Sequence, residues 1–282
     1  MPNICEFVIA STFNLYLSRR GYSGKAPDVG EERNFMEQLN FDSETKTDIA
    51  IKFIRRYEPA EGYFLGFSGG KDSVVLYDIV IRSGVKFKAY YSCTGIDPPE
   101  ITRFIRQNYS DVQWLFPKQS FFKELIKRGY PTIFQRWCCD FLKKAPAKNI
   151  QLKHRLMGIR AEESFKRKKR GDINCSPKYT TYNPIFFWLE YEIWEYVERN
   201  NLPYCSLYDE GFDRIGCVIC PFICGTNSWK LKQHQNRFPK QYKAFERAMT
   251  ELWDQRVWWE KTKKGYARLP EEFIQNWYKR IM

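Results

Sequence analysis

The sequence predicts an α/β protein built on a parallel, twisted sheet with helices on both faces. Three observations carry that prediction. Short apolar runs at residues 63–67, 85–91, 112–116 and 154–159 alternate with segments of helical period, about 10–15 residues each. A paired-glycine turn, Gly69-Gly70, joins the first of those runs to a helix. Hydrophobic residues make up 43% of 282, enough for a sizeable core, and charged residues 28%, which excludes wholesale disorder.

Residues 1–60 read as a helical lead-in. Asp42 or Ser43 can cap a helix whose apolar positions Ile49, Phe53, Ile54 and Tyr57 recur at helical spacing, and Pro59 and Gly62 end it. Residues 61–202 form the α/β domain. Tyr63–Phe67 is a buried strand. Val74, Val75, Leu76, Ile79 and Val80 lie on a mostly buried helix that stops at Gly84, and Val85–Tyr91 is the second strand. Pro98 and Pro99 open a helix over 98–109, where a proline's missing N–H costs nothing. A third strand at 112–116 and a helix at 119–128 follow, then a strand at 154–159. The stretch 161–180 is polar, and helix resumes at 189–200. Residues 203–282, first Cys-rich and then helical, are expected to pack on the sheet domain as an extension.

Ser68-Gly69-Gly70-Lys71-Asp72-Ser73 sits at the junction of strand and helix. Glycines let the backbone turn tightly and bring N–H groups close to a phosphate, and the helix N-terminus adds positive potential. Lys71 supplies a charge, the Ser68 and Ser73 hydroxyls can donate, and Asp72 can hold a magnesium ion or fix the loop. The loop lacks the G-x-x-x-x-G-K-[ST] pattern: Leu65 stands where that pattern has its first glycine. Arg160, at a predicted strand end, can take a phosphate bidentately or pair with Glu162 or Glu163.

Nine cysteines are present and only two histidines, His154 and His234, so chemistry built on several histidines is excluded. Cys138-Cys139 and Cys217-x-x-Cys220 supply four thiolates in two pairs. Such a set selects zinc or an iron–sulfur cluster, adjacent cysteines suiting separate irons, unless the thiols are merely buried. Lys143 and Lys144 can offset the charge of such a centre or form a solvated helix face. Cys224, four residues after Cys220, is a candidate persulfide carrier; Cys5, Cys93, Cys175 and Cys205 read as inert.

Ser68–Ser73 resembles the PP-loop of the ATP pyrophosphatases and sulfonucleotide reductases. Four further segments narrow the resemblance to the phosphoadenosine phosphosulfate (PAPS) reductase-like family: Thr94-Gly95-Ile96-Asp97-Pro98-Pro99-Glu100, Gly158-Ile159-Arg160-Ala161-Glu162-Glu163-Ser164, Asn183-Pro184-Ile185 with Trp188, and Leu207-Tyr208 through Cys217. The resemblance spans about residues 60–225. It implies an adenine nucleotide alpha-hydrolase-like fold, with ATP and Mg2+ at Ser68–Ser73, Thr94, Gly95, Arg160 and Glu163, and Lys71, Asp72 and Arg160 acting on the transferred group. It also implies a [4Fe–4S] cluster on Cys138, Cys139, Cys217 and Cys220, as in the adenylyl-sulfate reductase and DNA phosphorothioation sulfurtransferase branches. Reductases of this family carry a reactive cysteine near the C-terminus. No cysteine follows Cys224 here, which weighs against reductase activity.

Lys+Arg total 46 against 33 Asp+Glu, a net charge of +13 that favours an anionic partner. Residues 151–170 hold the run Lys166–Arg170, and Trp253, Trp258, Trp259 and Tyr266 are interleaved with cations. Cations grip phosphates and rings can stack on unpaired bases, although the tryptophans suit a helix core at least as well. The expected partners are nucleic acid, DNA ahead of tRNA, and a sulfur donor such as a cysteine desulfurase. No 18-residue apolar window exists and the first 20 residues lack a basic n-region, so a reducing cytoplasm and no membrane are expected. Sulfur transfer to nucleic acid, sulfonucleotide reduction and non-catalytic binding are the three functional readings.

Overall fold

The computed structural model describes residues 44–261 and 267–280, with side chains at 256–261 excepted. The lead-in before residue 44, with Cys5 and the expected caps Asp42 and Ser43, lies outside the described residues. Helix α1 (Lys46–Arg56) is instead capped by Thr45, whose hydroxyl accepts from the Asp48 N–H while the Asp48 carboxylate accepts from the Thr45 N–H.

Among the described residues six strands form one sheet in the order β3-β2-β1-β4-β6-β5. They are β1 (Tyr63–Gly66), β2 (Phe87–Ser92), β3 (Gln113–Leu115), β4 (His154–Met157), β5 (Ile173–Cys175) and β6 (Thr180–Tyr182). All neighbours run parallel except β5 against β6. Leu65 pairs with Ala89 on one side and with Leu156 on the other, at the buried centre of the sheet. The β5–β6 hairpin was not expected from its polar sequence. Its edge position explains the composition, because an edge strand needs little apolar surface.

Alternation along the strands divides the interior. Tyr63 and Leu65 enter the large core, while Phe64 and Tyr90 turn to a smaller cluster with Ala147. Phe64 and Tyr90 stack at 4.7 Å between ring centres.

Helix α2 (Lys71–Ser83) follows β1, and α3 (Pro99–Asn108) and α4 (Phe121–Arg128) follow β2 and β3. Helix α2 starts three residues earlier than its apolar pattern suggests, so Lys71, Asp72 and Ser73 are its first turn. Gly84, in the left-handed region at φ 70°, ends it. After a short α5 (Phe165–Lys168) come α6 (Glu190–Arg199), α7 (Trp229–Arg237), α8 (Pro239–Lys261) and α9 (Pro270–Lys279). These last helices share the sheet's core: Phe245 of α8 is fully buried and meets Phe121 of α4 at 6.5 Å and Trp277 of α9 at 4.6 Å. Trp253 is buried against Phe273, a core role and not a base-stacking one; Trp258, Trp259 and Tyr266 lie outside the described side chains. Among the described residues no helix is long and apolar enough to cross a membrane.

Candidate functional site

The loop Ser68–Ser73 lies at the carboxyl end of β1, where parallel sheets gather ligands. Gly69 has φ +71°, and a Cβ there would meet the Ile101 and Ile105 methyls at 2.9 and 3.0 Å. Only glycine combines that conformation with so close an approach. Gly70 occupies the N-cap of α2 without a side-chain cap. The Ser73 hydroxyl donates to the Gly70 carbonyl at 2.8 Å and accepts from the Ser68 hydroxyl at 3.1 Å and from the Ser68 N–H at 3.2 Å. Both serine hydroxyls therefore brace the loop itself; the sequence showed only that they can donate.

Lys71 is 4% exposed. Its ammonium donates to the Asp213 carbonyl at 3.3 Å and lies 3.6 Å from Glu190 and 3.8 Å from Asp72. Its backbone N–H donates to the Tyr208 phenol oxygen at 2.9 Å, so a side chain from the far end of the family-like region meets the start of α2. Desolvation is the main reason the Tyr208 hydroxyl is held well above the usual phenol range and stays protonated.

Arg160 is 3% exposed and follows β4. Its Nε donates to Asp72 Oδ1 at 2.5 Å and its Nη1 to Glu162 Oε2 at 2.6 Å. Burial works against its charge, but the two carboxylates outweigh burial and raise its pKa. The Arg160 N–H donates to Glu163 Oε2 at 3.0 Å, and Glu163 also pairs with Arg167. So Asp72 fixes the loop, and the Arg160 guanidinium is held by carboxylates instead of standing free for a phosphate. The Gly158 Cβ position would lie 3.0 Å from the Asp72 carbonyl, which explains the glycine two residues before this arginine. Arg167 has Arg214, Arg170 and Arg160 as neighbours; burial first, then these like charges, lower its pKa to about 10.

At the end of β2, adjacent to β1, Asp97 gathers a second constellation. Its Oδ2 accepts from the Tyr91 hydroxyl at 2.8 Å and from the Thr94 N–H at 2.7 Å, and the Cys217 thiol donates to its Oδ1 at 3.7 Å. Thr94 is fully buried, and its hydroxyl lies 3.6 Å from the Cys217 sulfur. Gly95 turns the chain at φ +76°. Asp97 and Tyr208 were not among the expected site residues. The available signal was their place inside the segments that carry the family resemblance.

Cys139 opens a π-helical turn (Cys139–Lys144) tied to β2 by a Ser92 hydroxyl bond to the Lys143 carbonyl at 3.1 Å. The four thiols sense one another. The Cys139 contact, then burial, then Cys217 and Cys220 raise Cys138, while the Cys138 hydrogen bond, with Lys143 and Arg136, lowers Cys139. Burial pushes Cys217 up to about 11 despite Lys143. Electrostatic attraction from Cys217 raises the Lys143 pKa, whereas Lys144 pairs with exposed Asp140 at 2.7 Å. One lysine thus offsets thiolate charge and the other belongs to a wet face. Among the described residues no three Cys, His, Asp or Glu side chains are placed to hold a single metal ion. Thiolate sets in general suit soft metals and iron–sulfur clusters; here Cys138, Cys139, Cys217 and Cys220 influence one another, and Lys143 and Arg136 lower Cys139.

Cys224 does not have the environment of a sulfur carrier. It is 3% exposed, its thiol donates to the Cys220 carbonyl at 3.7 Å, and burial first, then Cys220, push its pKa up to about 12. Burial disfavours a thiolate there, and with it the persulfide role expected from sequence.

Comparison with known proteins gives the same frame. The chain is 30% identical over 217 residues to the uncharacterised protein MJ0066 of Methanocaldococcus jannaschii, covering 72% of this chain and 45% of that one. A second M. jannaschii protein, MJ0973, is 29% identical, with 43% of it covered, so the chain spans less than half the length of either relative. The adenosine 5'-phosphosulfate reductase of Geobacillus kaustophilus is 26% identical over 64% of this chain and 81% of its own. The PAPS reductase of Candida auris, solved as a phosphate complex, is 18% identical with a TM-score of 0.48, covering 64% of this chain and 96% of that one. The phosphoadenosine phosphosulfate reductase domain model matches residues 62–222. That stretch is more than half of the sequence and encloses the loop, Arg160 and both cysteine pairs, and the chain belongs to the phosphoadenosine phosphosulfate reductase domain family.

Proposed function

We propose that the protein binds ATP as its magnesium complex, adenylates an oxygen of a nucleic acid with release of pyrophosphate, and supports replacement of AMP by sulfur. DNA phosphorothioation-type chemistry is the preferred form, with tRNA thiolation next. The observation that carries this reading is the junction of two constellations at neighbouring strand ends. The phosphate-type loop after β1 and the thiols beside β2 share one wall, because the segment 207–217 delivers Tyr208 to Lys71 and Cys217 to Thr94 and Asp97.

In this reading the N–H groups at the start of α2 and the buried Lys71 hold the phosphates, and the bound nucleotide competes with Tyr208 for the Lys71 N–H. Asp72 and Arg160 keep the first turn of α2 in register with the end of β4. Stabilising charge on the transferred phosphoryl is then mainly a matter of positioning and electrostatics. Arg167, which pairs with Glu163, has Arg214, Arg170 and Arg160 as like-charged neighbours, a local excess of positive charge that favours a polymeric acceptor. Cys138, Cys139, Cys217 and Cys220 would hold a [4Fe–4S] cluster, which when bound supplies redox-active iron and a place for a sulfur ligand. Lys143 and Arg136 would offset its charge. Sulfur comes as a persulfide from an external donor of the cysteine desulfurase type: its outer sulfur displaces AMP, and a second donor thiol then takes the inner sulfur as a disulfide and frees the thiolated product.

A second reading, release of sulfite from adenylyl sulfate or PAPS, is favoured by the match to 81% of the G. kaustophilus reductase. One assay separates the two. Anaerobically purified protein is given Mg-ATP with and without DNA or tRNA, and pyrophosphate is measured. Nucleic-acid-stimulated release, lost in Lys71→Ala, supports adenylation. Sulfite from adenylyl sulfate, with no pyrophosphate from ATP, supports the second reading instead.

A further inference from the structure

Two phenylalanine rings stand in water beside the cysteine pairs. Phe134 is 88% exposed and Phe222 54%. Neither is on a loose end. The Thr132 hydroxyl accepts from the N–H groups of Phe134 at 3.2 Å and Gln135 at 2.9 Å, and the Thr132 N–H donates to the Gln135 carbonyl at 3.1 Å. This closes a tight turn with the ring at its tip. The Arg136 guanidinium lies 5.4 Å from the centre of the Phe222 ring, which brings the two loops together.

The end of the chain holds both loops. Trp277 Nε1 donates to the Pro131 carbonyl at 2.8 Å; Arg280 Nε donates to the Pro221 carbonyl at 3.0 Å, and Arg280 also bonds to the Phe222 carbonyl. Both rings are thus presented on a pre-ordered frame. Cys138-Cys139 follows the first loop directly, and Cys220 comes two residues before Phe222.

The local sequence is cationic. From 124 to 148 it holds Lys127, Arg128, Arg136, Lys143, Lys144 and Lys148 against Glu124 and Asp140, which pair with Arg128 and Lys144. An apolar protein partner does not call for that charge, and paired bases hide the faces that rings can stack on. Rings with a stacked guanidinium in a basic field are the chemistry that takes unpaired bases and their phosphates.

We infer that the Phe134–Arg136–Phe222 face is a stacking platform for an unpaired segment of nucleic acid, holding it next to the cysteine pairs. This rests on the proposed function for its choice of partner, while the rings Phe134 and Phe222 take no part in that function. The fluorescence anisotropy of a labelled single-stranded oligonucleotide tests it, with the duplex of the same sequence as control and full-length anaerobic protein throughout. The single strand is expected to bind more tightly than the duplex. Phe134→Ala is expected to weaken it about tenfold with an unchanged salt dependence, because the ring carries no charge. Arg136→Gln is expected to lower the log–log salt slope by about one contact's worth.

Equal binding of single strand and duplex, or wild-type binding by Phe134→Ala and Phe222→Ala, overturns the inference. A change of oligomeric state in those variants with oligonucleotide affinity intact also overturns it, and assigns the face to a second copy. Pyrophosphate release by the unmodified protein is read on the same preparations. Stacking without release removes the adenylation reading and keeps the platform. Release with variants that bind as wild type removes the platform and keeps adenylation.

Discussion

The phenol oxygen of Tyr208 accepts the Lys71 N–H at 2.9 Å, and the Lys71 ammonium lies 5.4 Å from the centre of the Tyr208 ring. The phenol thus occupies one of the free N–H groups that a helix N-terminus offers to an anion. Tyr208→Phe keeps the ring and removes the oxygen. It is expected to cost about 1 kcal/mol of stability, the worth of one hydrogen bond. ATP affinity measured by calorimetry is expected to rise about threefold, since the N–H no longer has a competitor. Weaker ATP binding would mean that the hydroxyl holds the loop in shape for the ligand.

Arg160 and Asp72 are coupled across 88 residues of sequence. Arg160→Met leaves the Asp72 carboxylate without its main partner and is expected to lower stability by about 2 kcal/mol, less than for a fully buried pair because Asp72 keeps some water. The double variant with Asp72→Asn should lose less than the sum of the single losses in urea melts. Strict additivity would show that the contact contributes nothing.

Gly69→Ala forces a Cβ into the left-handed region and against Ile101 and Ile105. The conformation alone costs about 1–2 kcal/mol. Both thermal stability and ATP binding should fall, whereas Gly84→Ala, with open space around its Cβ position, should pay for its backbone strain alone and leave ATP binding as it was.

Thiol reactivity should separate by environment. In the native protein at pH 8, iodoacetamide is expected to label exposed Cys175 first and to leave buried Cys224, with its pKa near 12, untouched until denaturation. Peptide mass spectrometry reads this directly. Iron content of anaerobic protein should drop in Cys217→Ser and Cys220→Ser and be retained in Cys224→Ser; equal loss in all three would make Cys224 a ligand.

His234 is 7% exposed and touches the Phe212 ring at 5.2 Å between centres. Burial, with a smaller contribution from Lys230, holds its pKa below the ordinary 6.5, although the Val218 backbone bond opposes this. The unfolded chain therefore binds this proton more readily than the folded one. The stability from a neutral His234 is present above the unfolded value and is lost as pH falls through the folded value. Urea stability should fall more steeply from pH 7 to 5 in the wild type than in His234→Gln.

Much of this protein was legible in its residue order. The apolar runs that became β1 to β4, the Gly84 stop, the Pro98-Pro99 helix start and the loop Ser68–Ser73 are short-range features, set by side-chain period and backbone sterics within about ten residues. The two cysteine pairs and the family segments were equally visible. What each group does was decided only in three dimensions. Lys71 turned into a cage with Asp213 and Glu190, Arg160 went to Asp72 and Glu162, the serine hydroxyls went to their own loop, and Cys224 went into the core. The deciding partners Tyr208–Lys71, Cys217–Asp97 and Arg160–Asp72 lie 137, 120 and 88 residues apart. Periodicity places a residue on an element, but the competition for a buried charge or thiol is settled by whichever partner packing brings into contact, and that depends on the whole fold.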